Sequence, residues 1–90
     1  MINNKTSLIQ QQTYTFTVVV EPDEDQWFVY CPALRSEGAA TCGRTEEEAL
    51  KNIREVLEMI VDELIEDGKE VPVEESSTFA GVEVKVPASV

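Results

Sequence analysis

The stretch from Thr45 to Gly68 constrains this chain more than any other. Ala49, Leu50, Ile53, Leu57, Ile60, Val61 and Leu64 recur at helical spacing, while Lys51, Arg54, Glu55, Glu58, Asp62 and Glu66 fall mainly on the opposite side. Thr45 followed by Glu48 fits a capping box, in which hydroxyl and carboxylate satisfy orphaned backbone donors of the first turn. Gly68 is placed to end the helix in the left-handed conformation. A helix with one apolar stripe must bury it against another element, so the rest of the chain has to supply a matching apolar face.

That face is written in period two. Thr13 to Glu21 (TYTFTVVVE) is dense in β-branched and aromatic residues, with Tyr14, Phe16, Val18 and Val20 alternating against Thr15, Thr17 and Val19. The turn residues Pro22 to Asp25 interrupt the pattern, and Gln26 to Pro32 (QWFVYCP) resumes it, which predicts a hairpin. Ala33 to Gly38 is expected as a loop, Ala39 to Gly43 as a short third strand and Val71 to Ser77 as a connector. Val82, Val84 and Val86, alternating with Glu83 and Lys85 before Pro87, predict a last strand with one buried and one wet face. The expected fold is α+β in the order βββαβ, with one helix packed on one face of the sheet. Residues 1–12, polar and without period, are expected as a disordered lead-in to a single domain over 13–90. Ninety residues suffice for one modest core.

Charge narrows the function classes. There are 18 acidic and 7 basic residues, no histidine, and a formal net charge of -11. Direct nucleic-acid binding needs a basic patch, and the Lys and Arg residues are spread along the sequence, so it is disfavoured. An acidic surface attracts a basic partner, and the same charge also serves solubility. Without histidine, a Gly-rich phosphate loop or a GxSxG turn, three common enzyme designs are excluded and no catalytic residue is expected. Asp23, Glu24 and Asp25 raise a metal reading, but calcium loops interleave their ligands around a central glycine and this turn has three adjacent acids and none. No metal and no cofactor is expected. Cys31 and Cys42 form no CxxC pair, and packed, reduced thiols are expected of both. The N-terminus lacks the pattern of a signal peptide and no run of about 20 apolar residues occurs, so a cytoplasmic location without membrane contact is expected.

Two segments carry a resemblance. TYTFTVVVEPDEDQWFVYCPAL (Thr13 to Leu34) and GRTEEEALKNIREVLEMIVDEL (Gly43 to Leu64) are similar to the HicB-like antitoxins, in which a hairpin ending in Cys-Pro-Ala-Leu precedes Gly-x-Thr-x-Glu-Glu-Ala-x-x-Asn-Ile. Those positions here are Cys31, Pro32, Ala33 and Leu34, then Gly43, Thr45, Glu47, Glu48, Ala49, Asn52 and Ile53. The resemblance implies a partial ribonuclease H-like fold without that activity. It implies a toxin-antitoxin role, in which the protein covers a small basic HicA-like toxin that cleaves messenger RNA. The loop Arg35 to Ala39 departs from the Pro-Gly-Cys of the family, and after Val71 there is room only for a strand, not for the DNA-binding segment many members carry. The residues expected to meet a partner are Asp23, Glu24 and Asp25 on the turn and Glu47, Glu55, Glu58 and Asp62 on the helix. Exposed sheet edges add a second mode, and a homo-oligomer is expected. The rival reading is an orphan scaffold or regulator of the same fold that binds itself or another basic protein.

Overall fold

The computed structural model describes residues 11–72 and 81–89. In chain order they form β1 (Gln11–Asp23), β2 (Gln26–Tyr30), a 3-10 segment (Pro32–Glu37), β3 (Ala40–Gly43), α1 (Glu46–Glu66) and β4 (Val82–Ser89). The strands make one antiparallel sheet in the order β3-β2-β1-β4, and α1 packs on one face of it. This is the α+β, βββαβ arrangement that the two periodicities predict.

The first strand is longer at both ends than its pattern suggests. Gln11 and Gln12, expected within the lead-in, pair with Ser89 and Ala88; residues 1–10 lie outside the described residues. At the other end the strand runs through Pro22 to Asp23, leaving only Glu24 and Asp25 as the turn. Proline is tolerated because bonded and non-bonded positions alternate along an antiparallel ladder, and Pro22 lies one step from the closing pair Asp23–Gln26. Its missing N–H then faces away from β2, on the side where β4 has already ended, at Val18. The two partners of β1 are offset: Gln11 to Val18 pair with β4 and Val19 to Asp23 with β2.

The connection expected as a loop over Ala33 to Gly38 is instead a 3-10 segment beginning at Pro32. Proline suits a first helical position, and Gly38 (φ 88°) ends the segment in the left-handed region. Backbone bonds from Cys31 N to Ala39 O (3.0 Å) and from Ala39 N to Leu34 O (3.2 Å) close it, so Cys31, Leu34 and Ala39 are fully buried. The connector expected over Val71 to Ser77 is described only as far as Pro72.

The core lies between the sheet and α1. Phe16, Val18, Val29, Val84 and Val86 face Ala49, Ile53, Leu57, Ile60, Val61 and Leu64, all buried. Each large aliphatic side chain so placed contributes about 1.5–3 kcal/mol. Both ends of α1 are closed by sequence-local bonds. Thr45 Oγ1 accepts from Glu48 N (3.0 Å), while the Glu48 carboxylate accepts from Arg44 N (2.7 Å), one residue earlier than the capping box requires. At the far end Gly68 N donates to Ile65 O and Lys69 N to Leu64 O, a complete Schellman motif with Gly68 at φ 72°.

One close approach seats the helix on the sheet. A Cβ on Gly43 would lie 2.5 Å from Ala49 N and 2.9 Å from Ala49 Cα, so only a glycine lets β3 meet the first turn of α1 backbone to backbone. Asn52, one turn on, donates from Nδ2 to Cys42 O (2.9 Å) and ties the same strand to the helix.

Two outcomes are expected. Gly43→Ala forces that contact apart and lowers the unfolding free energy by about 1–3 kcal/mol, read from urea titrations followed by Trp27 fluorescence. Glu24 is a non-glycine residue with φ 59°, so Glu24→Gly relieves the turn and raises stability by roughly 0.5–1 kcal/mol in the same assay.

Candidate partner-binding surface

The acidic residues named from the sequence occupy two connected places. Asp23, Glu24 and Asp25 form the exposed tip of the β1–β2 hairpin. The register Pro22–Trp27 and Trp27–Gly43 puts that tip at the end of the sheet where α1 begins, so Glu46, Glu47 and Glu48 in the first turn share it. From there Glu47, Glu55, Glu58 and Asp62 follow helical spacing along the outward side of α1. Glu47, Glu55 and Asp62 are exposed and Glu58 is half-buried. Of these residues only Glu58 joins an ion pair among the described residues, with Arg54 Nε at 3.6 Å. An exposed i,i+4 pair of this kind contributes only a few tenths of a kcal/mol. The stripe also carries Met59, an exposed large apolar side chain at 61%.

The acids are favourable where they meet the helix start and unfavourable where Glu63, Glu66 and Asp67 crowd its end with no basic residue in the last turn. Helix stability accounts for the first group and not for the second. Among the described residues no three acidic or cysteine side chains converge as metal ligands, and the hairpin acids do not gather around a centre.

The face of the sheet away from α1 carries residues that pattern reading passed over. Phe28 and Tyr30 point there from β2, with ring centroids 5.7 Å apart, and the Arg35 guanidinium carbon sits 4.7 Å from the Tyr30 centroid. The register aligns Val19 and Ala40 with Tyr30, and Glu21 and Cys42 with Phe28, on the same side. Alternation along β2 signals that these two rings share a face. The Arg35 contact depends on the 3-10 segment, which the sequence did not announce. Aromatic rings joined to arginine are the side chains over-represented at the centres of protein interfaces. Thr17, on the same face, is buried, and Gly81 lies against it: a Cβ on Gly81 would lie 2.7 Å from Thr17 Cγ2.

The two cysteines differ. Cys31 is buried as expected; Cys42, expected to be packed, is exposed, because its position on β3 turns it to the open face of the sheet. Among the described residues no helix is long and apolar enough to cross a membrane.

Comparison with known proteins gives the family. A UPF0150 protein of Synechocystis is 36% identical over 66 residues, 72% of this chain and 81% of that protein. A UPF0150 protein of Helicobacter pylori is 33% identical over 66 residues, covering 73% of this chain and 89% of the relative. This chain belongs to the UPF0150 family. A third UPF0150 protein, from Thermoplasma acidophilum, is 36% identical over 58 residues, 63% of this chain and 81% of the relative. No family model and no solved structure matches the chain. The acidic stripe, the hairpin tip and the aromatic sheet face are the chemically distinct surfaces of this UPF0150 chain among its described residues.

In native protein a thiol reagent should titrate one rapidly reacting cysteine, Cys42, with Cys31 reacting only on unfolding. The reagent count in Cys42→Ser protein, expected to fall to none before denaturant is added, checks this.

Proposed function

We propose that this UPF0150 protein is a non-catalytic antitoxin of the HicB-like type. It neutralises a small basic messenger-RNA-cleaving toxin of the HicA type by covering the surface on which RNA would lie. The observation that carries the reading is the set of exposed acids at the hairpin tip (Asp23, Glu24, Asp25) together with the acids along the outward side of α1 (Glu47, Glu55, Glu58 and Asp62, interspersed with Lys51 and Arg54), combined with family membership. An RNA-binding toxin must present cations to phosphate, and a protein that takes the place of RNA has to present anions at a comparable density. The partial ribonuclease H-like sheet supplies the rigid support, and Phe28, Tyr30 and Arg35 offer apolar contact beside the charge.

No bond is made or broken in this mechanism. Exposed carboxylates raise the rate of encounter with a basic protein, and the bound antitoxin excludes RNA sterically. Because most of these carboxylates are exposed, their attraction is screened by salt. The protein acts in the cytoplasm in this reading, where the toxin's substrate is found.

The test pairs the purified protein with a small basic protein recovered with it by pull-down from its host. A complex should form that silences RNA cleavage, with affinity falling steeply between 50 and 300 mM salt, roughly tenfold or more. Glu55→Lys with Asp62→Lys should slow association by about tenfold at low salt. Binding indifferent to salt and to these reversals, or RNA cleavage that continues in the complex, overturns the proposal in favour of a scaffold that binds itself or another protein.

A further inference from the structure

We infer that β4 is the seat of a symmetric dimer, in which the edge strands of two copies pair antiparallel about a two-fold axis through Val84. The two sheet edges differ. β3 has four residues and its Cys42 carbonyl is already taken by Asn52 of α1. β4 has eight residues and is the other edge of the sheet, and no described residue pairs with its outer side.

The side chains of β4 are self-complementary in one register. Glu83 and Lys85 are exposed on the face away from α1, flanking Val84. An antiparallel pair centred on Val84 sets Glu83 opposite the partner's Lys85 and Lys85 opposite the partner's Glu83. A two-fold axis makes every such contact twice, and opposite charges directly across an antiparallel pair attract while like charges repel. Centring the axis on Glu83 or on Lys85 sets like charges face to face. On the other face the same register lays Val84 against its own copy and the partner's Val86 against Val82, which is 38% exposed in the single chain. Beside that valine a groove of about 320 Å³ runs between β4 and α1, lined by Leu50, Lys51, Arg54, Val82, Glu83, Val84 and Lys85. The added strand borders this groove and extends contact beyond the ladder, toward the area a stable interface needs. Pro87, which has no N–H to donate, ends the ladder where it would meet Gly81 of the second copy.

Net charge works against any self-association of a chain at -11, and that separates the proposal from a general charge effect. Glu83→Lys makes each chain two units less negative and Lys85→Glu two units more. A long-range effect would tighten one variant and loosen the other. The local register predicts that both loosen, because each sets like charges opposite one another, and that the double variant Glu83→Lys/Lys85→Glu recovers.

Sedimentation equilibrium of the full chain and these three variants, with circular dichroism to show that each is folded, tests it. The wild-type chain is expected to be a dimer, each single reversal to weaken dimerisation by about tenfold, and the double reversal to restore it to within about twofold. A monomeric wild-type chain, single variants that move in opposite directions, or a double variant no better than the singles overturns the proposal.

Discussion

The contact on which the remainder of this fold rests is the meeting of two backbones at Gly43 and Ala49. A strand and a helix usually stand off by the thickness of their side chains. Here the strand carries no Cβ and the helix only a methyl, so β3 runs into the first turn of α1. The Thr45 hydroxyl and the Glu48 carboxylate cap that turn within the same few residues, and Asn52 ties it to the Cys42 carbonyl one turn later. With its start pinned in this way, α1 can cross the sheet in only a narrow range of directions. The stripe from Ile53 to Leu64 then falls on Phe16, Val18 and Val29 rather than on solvent.

The same constraint sets where the acidic residues lie. Seating the apolar stripe on the sheet turns Glu47, Glu55, Glu58 and Asp62 outward, and starting the helix beside the hairpin tip brings its first-turn glutamates to the end that carries Asp23, Glu24 and Asp25. Two acidic segments more than 20 residues apart in the chain thus become neighbouring parts of one surface. The opposite face of the sheet carries Phe28 and Tyr30, with Arg35 against the Tyr30 ring. A charged helix side and an aromatic sheet side give a small chain two chemically different surfaces.

The elements whose signals are local were legible from sequence. The capped helix, its stop at Gly68, the alternation of Phe16 and Val18 with Thr17, and the valines of β4 all report periodicity or cap chemistry within a few residues. Where the reading fell short, contacts remote in sequence had overridden local signals. Pro22 read as a turn and lies in a strand, because the neighbouring strand on its N side stops before reaching it. Ala33 to Gly38 read as a loop and winds into 3-10 turns, because Cys31, Leu34 and Ala39 are drawn together into the core. Cys42 read as packed and is exposed, because the register against Phe28 turns it outward.

The sequence by itself determined the α+β class, the βββαβ order, the helix ends and the acidic character of the hairpin turn and the helix. Each of these follows from side-chain period, local capping or charge, none of which requires knowing what lies across the chain. Only the tertiary structure decided the strand order β3-β2-β1-β4, the placing of hairpin tip and helix start at one end of the sheet, the Tyr30–Arg35 contact and the position of β4 at the sheet edge. Those features depend on which strand lies beside which and in what register, and register is fixed by the summed fit of two faces rather than by any single stretch of sequence.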